Sequence, residues 1–140
     1  MAKRSPIVGM VSYGIYTTWD AKSQQLPKIQ EFTTQVTADL DVEFGFIINV
    51  KKAKGAQIRY CIDHPGIKSK KGERLAPFEG EEYINSNDWD FYLGDTIWEP
   101  IEDKIGAWRL SIEMDGQIIA EKTFHLLARD EGQFWKQRGF

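Results

Sequence analysis

The chain of 140 residues has one cysteine, two histidines and no apolar run long enough to cross a membrane. Each scarcity closes off a class of function. Cys61 alone cannot form an intramolecular disulfide and suits a reducing compartment, so the cytoplasm is the expected location. One cysteine and two scattered histidines, His64 and His125, give no support to a structural zinc site. No serine stands in the Gly-x-Ser-x-Gly pattern of a nucleophile elbow. The stretch "GIKSKKGE" has neither the glycine spacing nor the Gly-Lys-Ser/Thr ending of a phosphate loop. The start, "MAKRSPIVGMV", is basic, but its apolar run is too short for a signal peptide. A formal charge of −3 and a pI near 5.4 argue against nucleic acid as the main partner. No cofactor and no membrane partner is expected.

What is present is alternation. Trp108, Leu110, Ile112 and Met114 alternate with Ala107, Arg109, Ser111 and Glu113, the period of a strand with one buried face. Asp115-Gly116 follows; both central residues of a type I′ turn need positive φ, which Gly adopts freely and Asp tolerates, so a hairpin is expected here. Phe124 and Leu126 belong to the buried face of the return strand. The adjacent apolar pair Ile118-Ile119 suggests a bulge where the face assignment switches.

Upstream, Ile7 to Thr17 reads as a first strand, with Gly9 and Gly14 as close-packing or bulge positions. "AKSQQLPKIQEF" reads as loop. From Val36 to Val50, eight apolar residues share one parity, which a helix would not produce. Gly45 is the expected bend or break in that run. "KKAKGA" is a polar tip, and Gln57 to Asp63 returns as a strand with Ile58, Tyr60 and Ile62 on one face. "HPGIKSKKGERLAP" is a long loop. Trp89, Phe91 and Leu93 mark a further strand, and "WEPIEDKIG" connects it to the final hairpin. The expectation is an all-β, antiparallel sandwich of about seven strands over residues 1–128. A tail follows at 129–140, whose Phe134, Trp135 and Phe140 require a surface to cover them.

Charge is unevenly spread. Residues 51–74 hold eight basic side chains against Asp63 and Glu73, whereas residues 79–103 hold nine acids and no Lys or Arg. On different faces these segments would attract a second copy; side by side they would neutralise each other.

Candidate chemistry is sparse. Cys61 and His64 differ in strand parity, which disfavours a nucleophilic pair, and Cys61 reads as a small strand hydrophobe. His125 reads as an ordinary sheet residue. Asp39, Asp41 and Glu43 share a strand face and are the weak candidates for a cation, set against the plainer reading of a solvated face. The acidic-aromatic stretch "EGEEYINSNDWDFYLGDTIWEP" is the richest candidate, since Trp89, Tyr92 and Trp98 beside carboxylates could stack on a sugar or hold a cation. Alternation there buries Trp89 and Phe91 and exposes Tyr92. A glycosidase pair among the nine acids has no motif to select it.

With these elements in place, "EFGFIINV" at 43–50, "IDHPG" at 62–66 and the closing "GAWRLSIEMDGQIIAEKTFHL" together resemble a bacterial family catalogued as domain of unknown function 3859. Gly106, Trp108, the Asp115-Gly116 turn and Phe124 stand where that family closes. The resemblance runs loosely over residues 7–127. It implies an immunoglobulin-like sandwich and brings no catalytic residues. The leading expectation is a non-enzymatic module for protein–protein interaction or self-association. It would act through a strand edge, the acidic-aromatic segment, or the tail aromatics Phe134, Trp135 and Phe140. The alternative is carbohydrate or small-ligand binding around Trp89, Tyr92 and Trp98.

Overall fold

The structure is a computed structural model that describes residues 6–18 and 25–129. Among them, nine strands form two packed sheets. One contains β1 (Ile7–Tyr16), β2 (Ile29–Glu31), β4 (Glu43–Lys51) and β7 (Asp88–Thr96), in the order β2-β1-β4-β7. The other contains β3 (Gln35–Thr37), β5 (Gln57–Asp63), β6 (Phe78–Tyr83), β8 (Gly106–Met114) and β9 (Gln117–Leu127), in the order β3-β9-β8-β5-β6. Neighbouring strands are antiparallel except β3 and β9, which run parallel.

Period-2 patterning places the core. Phe44, Phe46, Ile48 and Val50 of β4 face Trp108, Leu110 and Ile112 of β8 across the sandwich, all fully buried. Phe44 meets Trp108 edge-on at 5.2 Å and Phe124 at 5.6 Å between ring centroids. These arrangements pair ring edge with ring face, the favourable orientation for aromatic quadrupoles. The indole Nε1 of Trp108 donates to the Lys104 carbonyl at 2.7 Å, so the largest core side chain buries no unpaired donor.

The final hairpin forms as its sequence requires. Asp115 and Gly116 take φ of 53° and 78°, the pair of left-handed conformations of a type I′ turn. Ile112 pairs Ala120 while Glu113 pairs Ile118, so Ile119 is the extra residue of a bulge at the apolar pair.

Three expectations are corrected. Among the described residues the strands number nine rather than about seven: β2 lies in the stretch that reads as loop, and β6 has no counterpart in the alternation. Three-residue β2 is too short to show a period, and β6 is acidic because it is an edge with no apolar face to advertise. The 36–50 run does break, but at Asp39–Asp41 rather than at Gly45. Asp41 takes φ 66°, and Leu40, nominally in phase, is exposed. Gly45 stays in β4 because the Leu93 carbonyl oxygen lies 2.2 Å from where a Cβ would stand, so the glycine serves close strand approach. Third, the sandwich carries one parallel pair, β3 with β9, in place of an all-antiparallel arrangement.

The two charge segments lie side by side. In strand register Arg59 opposes Glu81 and Lys51 opposes Asp88, with ion pairs of 3.4 and 4.0 Å. Their opposite charges therefore partly neutralise within one molecule.

Candidate interaction surfaces

The residues singled out as a sugar platform do not converge. Trp89 and Phe91 lie on the inner face of β7, stacked on each other at 5.0 Å and half-buried against the core. Tyr92 points to the opposite face, and contrary to expectation it is only 4% exposed. The outer face of this sheet is itself covered there: Tyr16, Ile47 and Tyr92 form a second small core with Leu26 and Ile29. Trp98 lies beyond β7 in the connection to β8, 37% exposed. Phe134, Trp135 and Phe140 fall outside the described residues.

The three acids Asp39, Asp41 and Glu43 share no face. Asp39 and Asp41 belong to the turn before β4, and Asp39 is paired with Arg129 at 2.7 Å. Glu43 is buried on the outer face of β4, where it accepts hydrogen bonds from the Tyr92 hydroxyl and from Thr96 Oγ1. Burial, then the neighbouring Glu43 carboxylate, pushes the Tyr92 phenol far above its ordinary range, so it remains a donor. Asp95, on the inner face of β7, is pushed up to about 6 by burial.

The isolated nucleophile and histidine are placed structurally. Burial raises the Cys61 thiol, and Glu79 and Asp63 add to the effect, which opposes thiolate formation. His64 is buried: its Nδ1 accepts from the Ile67 amide at 2.9 Å, which leaves Nε2 to donate to the Ala76 carbonyl at 3.2 Å. It staples the 64–77 loop across its base. His125 is exposed on β9.

Two surfaces stand out. The first is the edge of β1. Among the described residues β2 pairs with β1 only at Ile15 and Tyr16, and the chain near Thr33 passes close to Gly14. Among the described residues nothing pairs with the outer edge from Ile7 to Ser12. Ile7, Met10 and Val11 are 54%, 38% and 56% exposed. β1 carries no charged residue over its ten positions, "IVGMVSYGIY". The edges on the other side of the sandwich are defended: β6 carries Glu79, Glu81 and Glu82, and β7 carries Asp88, Asp90 and Asp95. Charges at an edge discourage strand addition; an apolar, uncharged edge invites it. At Val11 the register shifts, Met10 pairing Ile48 and Ser12 pairing Ile47, and the Val11 side chain is exposed. The absence of charge over ten residues is the sequence signal that could have marked this edge.

The second surface is a groove of about 860 Å³ at the end of the sandwich, between the 64–77 loop and the 97–105 connection. Its apolar part is Pro65, Ile67, Leu75, Trp98, Pro100 and Ile105. Lys104 anchors the second wall: fully buried, its ammonium donates to the Pro100 carbonyl at 2.8 Å and to Asp103 Oδ1 at 2.7 Å, and lies 4.4 Å from the centre of the Trp98 ring. Asp103 Oδ2 accepts from the Lys68 amide at 3.1 Å, tying the two walls together. Although burial pushes the Asp103 carboxyl up, the hydrogen bonds from Lys104 and the Lys68 amide hold it below the ordinary carboxylate value. The two walls of the groove are thus joined through Asp103 and the buried Lys104.

Two sheets packed around an aromatic core and closed by a hairpin define the class of an immunoglobulin-like β-sandwich. The crystal structure of an immunoglobulin-like protein from Pseudomonas aeruginosa is similar, with a TM-score of 0.68 and 21% identity, over 89% of this chain and 95% of that one. No curated protein matches. The chain belongs to the family described as a domain of unknown function, DUF3859, which matches residues 4–126, in agreement with the resemblance carried by the closing hairpin.

Proposed function

We propose that the protein is a non-enzymatic recognition module that takes an extended segment of a partner protein along the open edge of β1. The observation that carries this reading is the contrast between edges: β1 is uncharged, with Ile7, Met10 and Val11 exposed, while β6 and β7 carry six carboxylates between them. An added strand would satisfy the outward main-chain groups of Ile7 to Ser12 and pack on those three apolar side chains, the physics of β-augmentation. Cys61 with a raised thiol and His64 engaged through both ring nitrogens give no support to a catalytic pair.

The test is retention of partner proteins by the full chain beside Val11→Lys and, as a control outside β1 in the turn before β4, Leu40→Lys. Both positions are exposed, so neither substitution disturbs the core. Specific retention lost with Val11→Lys and kept with Leu40→Lys supports the reading. Identical retention by all three chains refutes it.

A further inference from the structure

We propose that the groove between the 64–77 loop and the 97–105 connection is the docking site for the chain's own residues 130–140. Three observations point there: where the chain runs out of β9, how far it can reach, and what the groove offers.

Leu126 pairs Gly106, and Gly106 lies so close to Pro65 on the groove that a Cβ there would meet the proline ring at 2.7 Å. Leaving β9, the chain is therefore about one strand spacing, ~4.8 Å, from the strand that borders the groove. The same end is fixed by other bonds. Leu127 accepts from the Ala38 amide at 2.8 Å, Arg129 pairs with Asp39 at 2.7 Å, and the Asp41 amide donates to Ile97, the residue before Trp98, at 2.9 Å. Eleven further residues extend at most roughly 40 Å, ample to cross the groove.

The chemistry is complementary in order. The groove has a basic lip, Lys68 and Lys70, and an acidic lip, Glu99 and Glu102, around an apolar floor of Ile67, Leu75 and Trp98. All four charged side chains are exposed, and none is ion-paired among the described residues. The segment "DEGQFWKQRGF" reads acid, aromatic, base: Asp130 and Glu131, then Phe134 and Trp135, then Lys136 and Arg138. Laid across the groove with its acids on the lysine lip, it sets the aromatic pair over the apolar floor and its bases against Glu99 and Glu102. Aromatic anchors in a groove, with charged pairs at the rim, are the usual division between affinity and orientation.

The experiment compares amide NMR spectra of the full chain with those of Phe134→Ala/Trp135→Ala, over a tenfold dilution. Both substitutions lie beyond β9 and outside the sandwich core. Expected are shift changes concentrated in residues 66–75 and 98–105, unaltered by dilution. No change in those loops, or changes placed on another face, would overturn the proposal. Changes that fade on dilution would overturn it too, since they would assign the groove to the segment of a second copy. A charge exchange, Glu102→Lys with Lys136→Glu, adds a second reading: each alone should shift groove amides away from the natural spectrum, and the pair should restore them.

Discussion

Asp95 carries a penalty that a single substitution should remove. Its carboxyl sits on the inner face of β7, opposite Phe44 in register, and burial lifts it from the ordinary 3.8 to about 6, opposed by the hydrogen bond from the Thr96 amide at 2.8 Å. For an acid raised in the folded state, the native protein binds the proton more tightly than the unfolded chain. Its contribution is fully present below pH 3.8 and is lost as pH rises through about 6. At pH 8 the ionised form must be buried, and a displacement of this size corresponds to about 2–3 kcal/mol. Asp95→Asn keeps the acceptor for Thr96 and removes the charge. In urea titrations the variant should exceed the natural chain by about that amount at pH 8 and match it near pH 4. Other carboxyls, such as the lowered Asp103, are common to both chains and cancel in the difference. A variant less stable at pH 8, or one with the same offset at both pH values, would refute the argument.

Trp108→Ala should cost about 3–5 kcal/mol, since it empties the centre of the core and leaves the Lys104 carbonyl without its donor; a thermal melt measures it. Two glycines should respond oppositely to alanine. Gly45→Ala drives a methyl into the Leu93 carbonyl and should lower the urea midpoint sharply, whereas Gly9→Ala, with nothing within 4 Å, should be neutral or stabilising by about 0.5 kcal/mol. Glu43→Leu should destabilise by about 1–3 kcal/mol in the same urea assay, because Tyr92 and Thr96 would each lose a buried acceptor.

The parts of the fold that were legible in the sequence are those where one physical rule acts alone. Alternation with a two-residue turn specified the β8–β9 hairpin down to its bulge, because one face is core, the other is largely solvent, and Asp-Gly accepts the two positive φ angles between them. Tyr92 was misread for a reason that also explains β2. Alternation assigns a residue to one of two faces but assumes that one of them is wet. Here Leu26 and Ile29 fold back over the outer face of β1 and β4, so both parities are buried at Ile47 and Tyr92. Glu43 shows the same effect: a carboxylate in a polar-looking phase is held inside by two hydroxyl donors. His64, whose ring staples a loop, sits beside a proline and an acid in sequence, where nothing distinguishes a structural histidine from a reactive one.

The candidate surfaces were the least legible, and the cause is physical. A groove between two loops has no period, because its walls are set by contacts made at a distance, such as Lys68 to Asp103 across 35 positions of the chain. An open edge is defined by a neighbour that stops short: β2 reaches only two residues of β1. Both are properties of topology rather than pattern. Each nevertheless left a trace in composition, a ten-residue strand without charge in one case and an acid-aromatic-base sequence in the other. Burial alone accounts for neither, since core residues need no uncharged outer edge and a surplus tail needs no aromatics. Features that the core does not require are where function is to be sought, and in this sequence they stand at its two ends, so that Val11→Lys and Phe134→Ala/Trp135→Ala test the two proposals one at a time.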